Sequence, residues 1–138
     1  MKQHQTLLTV KTPGRGLHDI TGEVRAVVKA SGVATGLCVV FVRHTSCSLA
    51  IQENADPAAR RDLERFLERI APEGAKYEHN DEGPDDSPSH LRALVTRTSE
   101  TIPVADGDLA LGTWQGLYLC EHRARPHARS LLVHVSGE

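Results

Sequence analysis

Apolar and polar positions along this chain change period several times, and each change marks an element. Thr6 to Lys11 reads TLLTVK, a short β-rich run closed by Thr12-Pro13-Gly14-Arg15-Gly16, residue types that favour turns. From Thr21, a candidate N-cap, Val24, Val27 and Val28 recur at three- and four-residue spacing and stop before Gly32, which predicts a short helix. Gly36 to Arg43, GLCVVFVR, is too continuously apolar and β-rich for a surface helix, so it predicts a buried strand running into His44. Ser48 to Gln52 predicts a second short strand.

Asp56 as cap and Pro57 at the first helical position open the clearest helix, in which Leu63, Phe66, Leu67 and Ile70 keep the helical period. Arg61, Asp62, Glu64, Arg65, Glu68 and Arg69 form its solvated face. The stretch from Pro72 to Ser87 carries six acidic residues and one lysine, and a loop this long in a small domain is either disordered or functional. Ser87-Pro88 starts a third helix, to about Arg97, that is expected to bury Leu91, Leu94 and Val95. Ile102 to Ala105, Leu109 to Leu111, Gly116 to Glu121 and Ser130 to Val135 predict strands. Several strands without regular alternation with helices predict a largely antiparallel α+β fold, a single domain over residues 1–138.

With 138 residues, 39% hydrophobic and 25% charged, the composition fits one domain of ordinary size. Aromatic residues are only 4%, so Leu, Val, Ile and Ala must build the core. A net charge of -2 provides no basic field, which argues against nucleic acid as a partner. No apolar run approaches a membrane span and the first residues lack a signal-peptide pattern, so no membrane partner and a cytoplasmic location are expected. Cys38, Cys47 and Cys120 form no CxxC pair and are expected to be reduced core residues.

Eight histidines stand out against that background. His44 follows a buried strand, His79 lies in YEHND and His90 in SPSHL, and imidazoles beside carboxylates suit a divalent metal or an acid–base relay. Asp81, Glu82, Asp85 and Asp86 offer oxygen ligands of the kind magnesium prefers. His44-Thr45-Ser46 sets an imidazole and two hydroxyls in succession, and two short paired strands could fold Glu53-Asn54 back toward them. The glycines of Gly112-Thr113-Trp114-Gln115-Gly116 let backbone amides approach an anion or a neighbouring chain, with Trp114 as a packing anchor. Arg123, Arg125 and Arg129 could hold phosphate bidentately, and a solvated turn explains them equally well. His134, between Val133 and Val135, is expected to face solvent or a subunit contact.

In order, His44-Thr45-Ser46, Gln52-Glu53-Asn54-Ala55-Asp56-Pro57, Tyr77-Glu78-His79-Asn80, Ser89-His90-Leu91, Gly112-Thr113-Trp114-Gln115-Gly116 and Glu121-His122-Arg123 resemble the YjbQ-like family, also called secondary thiamine-phosphate synthases. The resemblance runs from about Gln5 to Glu138 and implies a single YjbQ-like domain with a β-sandwich-like core and about three short helices. It further implies a homotrimer with sites near subunit boundaries. The implied activity joins hydroxymethylpyrimidine diphosphate to a thiazole phosphate, giving thiamine phosphate and pyrophosphate. Carried over by position, His44, Glu53, Asp86 and Arg129 become catalytic candidates, Arg129 as an anion clamp. Thr45, Ser46, Asn54, Ser89, Thr113, Gln115 and Glu121 become substrate or phosphate ligands, and His44, His79 and His90 a metal set with zinc or magnesium as the expected ion.

Displacing diphosphate from a stabilised benzylic-type carbon mainly requires charge to be neutralised on the leaving group, so cations suffice without a protein nucleophile. Two other readings stay open: a metal-dependent hydrolase of a phosphorylated small molecule, which would release free phosphate, and a non-enzymatic trimeric metal- or ligand-binding protein. The chain departs from the family pattern at Gln52 and Cys47, where Asn and Ala are frequent. Arg125-Pro126-His127-Ala128 also replaces a more glycine-rich stretch, which bears on the loop that places Arg129.

Overall fold

The computed structural model describes residues 1–138, in which eight strands and three helices form. In chain order they are β1 (Lys2–Thr12), β2 (Gly16–Asp19), α1 (Thr21–Ser31), β3 (Gly36–Val42), β4 (Cys47–Glu53), α2 (Pro57–Ile70), α3 (Asp86–Val95), β5 (Ser99–Ala105), β6 (Asp108–Leu109), β7 (Gln115–Glu121) and β8 (His127–Gly137). Two antiparallel sheets result, one of five strands ordered β1-β8-β3-β5-β6 and one of three ordered β2-β7-β4. The α+β architecture expected from the sequence is the observed one.

Strand β8 shows why the sheets pack as they do. Leu131, Val133 and Val135 are fully buried while the residues between them point away, the period-two pattern of a strand with one covered face. They meet Val40 and Val42 of β3, Val24 and Val28 of α1, and Leu117 and Leu119 of β7 in one aliphatic core. Each such buried side chain contributes about 1.5–3 kcal/mol relative to exposure. Where β3 begins beside the end of β8, Gly36 opposes Gly137, and a Cβ on either would come within 2.0 or 2.1 Å of backbone oxygen. Only glycine allows the two strands to approach there.

The structure departs from the pattern-based expectations in several places. β1 and β8 are longer than expected because they pair along their whole lengths, from Lys2 with Gly137 to Thr12 with His127. β2 lies hidden behind the turn signals of residues 12–16 and pairs with β7. Ile20, with no side-chain cap, precedes α1, and the Thr21 hydroxyl instead accepts from the Leu117 amide at 2.9 Å, tying α1 to β7. α3 ends at Val95 and buries Asp86, Pro88, Ser89 and Arg92, whereas Leu91 and Val95 are exposed and Leu94 is 78% exposed. Trp114 is 64% exposed, so it does not anchor packing within this chain. All three cysteines are free and buried, as expected. No helix is long and apolar enough to cross a membrane.

Candidate functional site

The residues after β7, the loop after β3 and the first turn of α3 meet at one end of the smaller sheet. Asp86 and His90 are four residues apart on α3 and so share a face. The acidic loop returns His79 to that face, its carbonyl accepting from Ser87 Oγ at 2.6 Å. His79 Nε2 lies 2.6 Å and His90 Nε2 3.0 Å from Asp86 Oδ2, and the two ring centroids are 5.5 Å apart. Arg123, two residues beyond β7, locks this arrangement from behind. Its Nη1 donates to Asp86 Oδ1 at 2.6 Å, its Nε to Asp85 Oδ2 at 3.1 Å and its Nη2 to Glu82 O at 3.0 Å.

Proton accounting shows what this cluster needs. His90 Nδ1 is 2.8 Å from Thr45 O, and a carbonyl only accepts, so Nδ1 carries the hydrogen. In a neutral ring Nε2 is then a bare lone pair, yet it faces a carboxylate oxygen. Burial pushes the Asp86 pKa up, but the hydrogen bond from His79 and the charges of His90 and Arg123 outweigh it and hold the carboxyl below its ordinary range. Two acceptors face each other only with a cation between them, either a second proton on His90 or a metal ion.

The donor set fits a metal. Ligand atoms of His79, Asp86 and His90 all lie within 4.8 Å of one another. Two imidazole nitrogens and a carboxylate oxygen suit zinc and its first-row neighbours. The Nδ1–H to carbonyl bond is the contact by which a protein orients a metal-binding histidine. Ligands bound about 2.0–2.1 Å from a tetrahedral ion stand about 3.3 Å apart, so the 3.0 Å contact of His90 to Asp86 need open by about 0.3 Å and the 2.6 Å contact of His79 by about 0.7 Å. A cleft of about 450 Å³, lined in part by Tyr77, His79 and Asn80, lies beside the cluster.

His44 stands outside this group, and Asp86 supplies its third corner. The His44 Nε2 accepts from the Ser130 amide at 2.8 Å, and burial followed by the Arg129 charge lowers its pKa, so the ring is a neutral anchor for β8. Arg129 does not present a free anion clamp. Its Nε donates to Glu121 Oε1 at 2.7 Å, its Nη2 bonds Glu121 Oε2 and also reaches Ser46 O at 3.3 Å, and both charged residues are buried. Burial raises the Glu121 pKa, but the bonds from Arg129 and from Thr12, at 2.6 Å, outweigh it and keep the group ionised. Ser89 is buried within α3 and donates to Asp85 O at 2.5 Å, which leaves nothing for a phosphate.

The remaining expected residues lie elsewhere. The β4–β7 register pairs Cys47 with Glu121 and Glu53 with Gln115, so Glu53 and Gln115 sit at the far end of the pair, about 20 Å away at the usual strand rise. There Glu53 Oε2 accepts from the Ala55 and Asp56 amides at 3.0 and 2.9 Å, holding the turn before α2. Asn54 Nδ2 donates to Gln115 O at 3.3 Å, and Gln115 Oε1 accepts from the Gly112 amide at 2.8 Å beside exposed Thr113. One chain therefore presents two separate polar patches. In the sequence Arg123 stands out as part of Glu121-His122-Arg123 and as a possible phosphate holder, and nothing in its spacing from Asp86 betrays the clamp it forms.

Comparison with known proteins adds relatives to this geometry. The family model described as UPF0047 protein YjbQ-like matches residues 6–138. A UPF0047 protein of Synechocystis sp. is 56% identical over 138 residues, covering 99% of this chain and 94% of that protein. The UPF0047 protein YjbQ of Escherichia coli O157:H7 is 40% identical over 136 residues, covering 98% and 99%. A crystal structure of a YjbQ/UPF0047 family protein from Clostridium acetobutylicum superposes with a TM-score of 0.88 at 36% identity, covering 95% of this chain and 99% of that one.

Proposed function

Because this chain belongs to the YjbQ-like family, UPF0047, we propose that it is a thiamine-phosphate synthase of the secondary type, working in the cytoplasm at a divalent-metal centre. The reaction joins hydroxymethylpyrimidine diphosphate to a thiazole phosphate. The bond from the pyrimidine's exocyclic carbon to diphosphate breaks, the thiazole nitrogen's lone pair forms the new C–N bond, and pyrophosphate leaves with the electron pair. The observation that supports the reading is the contact of His90 Nε2 with Asp86 Oδ2, two acceptors that need a proton or a metal ion between them, and a metal ion there would suit a leaving anion.

His79, Asp86 and His90 would hold the ion, zinc or magnesium, and when bound it supplies Lewis-acid neutralisation of the departing diphosphate. The chain's own groups do the positioning. Arg123 fixes the plane of the Asp86 carboxylate, and the Thr45 carbonyl fixes the His90 ring. Tyr77 and Asn80 line the cleft in which the phosphorylated substrate lies beside His79. No protein base is required, in keeping with His44 being neutral and bonded. A homotrimer belongs to the same reading, since a neighbouring copy can bring the patch of Glu53, Asn54, Thr113 and Gln115 to the imidazole patch.

The test is an assay with both precursors, comparing metal-loaded wild type with folded His79→Ala. Thiamine phosphate and pyrophosphate are expected from the wild type, with loss of nearly all product in the variant. Free phosphate without a joined product would move the reading to a hydrolase, and no turnover from either precursor would move it to a binding protein.

A further inference from the structure

Arg92 is a buried cation that the site above does not use. Its residue is 3% exposed, it forms no ion pair, and its Nε and Nη2 both donate to one carbonyl, Ala71 O, at 3.2 and 2.9 Å. Its Nη1 has no protein acceptor. A guanidinium largely removed from water, whose one hydrogen-bond partner is neutral and whose nearby carboxylates, Glu68 and Glu73, act on it without bonding it, gains from an anion that bonds it directly. Arg92 lines a cavity of about 120 Å³, and so does Arg15, which is steered there by bonds from Nε to His122 O at 3.1 Å and from Nη2 to Glu73 at 2.5 Å. At about 30 Å³ per water, the cavity has room for about four waters or one tetrahedral oxyanion.

The third wall of the cavity is His122, 2% exposed, and the hydroxyls behind it fix its tautomer. Thr96 Oγ1 is 2.8 Å from Arg92 O, a pure acceptor, so the Thr96 proton points there. Ser48 Oγ, 2.5 Å from Thr96 Oγ1, must then donate to Thr96. His122 Nε2, 2.8 Å from Ser48 Oγ, must in turn donate to Ser48, which leaves Nδ1 as a bare lone pair. Burial pushes the His122 pKa down to about 3, so the ring stays neutral. Glu64 and Glu68 also line the cavity and form no ion pair. Glu121 lines it too but is taken up by Arg129 and Thr12, so the cavity combines two cationic donors with three acceptors, His122 Nδ1 and the Glu64 and Glu68 carboxylates, that take no hydrogen bond from the protein.

A fully deprotonated oxyanion such as sulfate satisfies the donors and is repelled by the acceptors. An oxyanion that carries its own hydroxyl satisfies both. We propose that this cavity binds a protonated phosphate, as hydrogenphosphate or the monoanionic end of a small phosphate monoester, with Arg15 and Arg92 on its anionic oxygens and His122 Nδ1 accepting its P–OH. The proposal does not depend on the metal-centre reading, because its residues come from β2 and its preceding turn, α2, α3 and the end of β7, and include none of the metal-cluster residues.

The test is calorimetric titration of the metal-free full chain with inorganic phosphate, methyl phosphate and sulfate in parallel. Saturable phosphate binding is expected, with sulfate at least about 100-fold weaker, since a site built to accept a ligand hydroxyl rejects an analogue lacking it. Arg92→Gln removes bonds to Ala71 that support the fold, so Arg15→Gln, whose wild-type side chain is 32% exposed, is the better variant and should weaken phosphate by about tenfold. Glu68→Gln should narrow the preference over sulfate. His79→Ala should change neither affinity. Tighter binding of methyl phosphate assigns the site to an ester, and binding of phosphate alone assigns it to the free ion. Equal affinity for sulfate, no saturation at high millimolar phosphate, or binding lost in His79→Ala but kept in Arg15→Gln would overturn the proposal.

Discussion

At the scale of single residues, His122 gives the chain a pH dependence whose sign can be worked out. Its folded pKa lies at about 3 against an ordinary 6.5, so below 6.5 the unfolded chain takes a proton that the native ring refuses. Stability from this group is therefore full above 6.5 and falls by roughly 1 kcal/mol per pH unit on acidification toward 3. Asp86 and Glu121, both depressed, add a further loss only at lower pH, where the unfolded carboxylates begin to protonate. Urea denaturation at pH 7 and pH 5 should show the wild type weaker at pH 5 and His122→Asn with a flatter dependence. Equal slopes in both proteins would remove His122 as the cause. The sequence pointed to His79 and His90 because imidazoles in an acidic loop announce themselves. It did not point to the pairing of Arg129 with Glu121 or of His122 with Ser48, because an arginine meant for phosphate and one meant for a buried carboxylate look alike until burial is known.

Among the elements, α2 was legible in detail: Asp56 caps it through a 2.9 Å bond from the Ala58 amide, and Pro57 fills its first position. Asp56→Ala should cost about 1 kcal/mol, read as a lower urea midpoint at unchanged slope, whereas an unchanged midpoint would show that Glu53 alone holds the turn. α3 was legible as a helix and illegible as to its face. Its apolar residues Leu91, Leu94 and Val95 suggested the core, yet the buried side is Asp86, Ser89 and Arg92, because that side serves the imidazole cluster and the Ala71 carbonyl. Periodicity reveals that a helix has two faces, and it cannot say which one a polar site has claimed. β2 escaped for a related reason, since four residues behind a glycine-rich turn give no run long enough to show alternation.

For the whole molecule, the apolar residues left outside the core are the informative ones. On the outer face of the five-stranded sheet the register sets Leu7, Leu132 and Phe41 side by side, and Leu37 lies further along β3. Leu7, Leu37 and Phe41 are each about half exposed, and Leu91, Leu94 and Val95 add a second apolar surface on α3. Surfaces of this kind mark association between chains. Sedimentation equilibrium should give a trimer that Phe41→Glu or Leu94→Glu dissociates while each chain stays folded; a wild-type monomer at micromolar concentration would contradict it. The antiparallel α+β plan was open to sequence reasoning because strand and helix periods are local, whereas the apolar side chains left outside the core were not, because only the fold decides which ones they are. The central claim concerns the cluster of His79, Asp86 and His90, and equilibrium dialysis of the metal-free chain against zinc and magnesium tests it most directly. One ion per chain is expected, retained by His44→Ala and lost by both His79→Ala and His90→Ala. Undiminished uptake by a folded His79→Ala/His90→Ala protein, or loss of the ion in His44→Ala alone, would contradict the account.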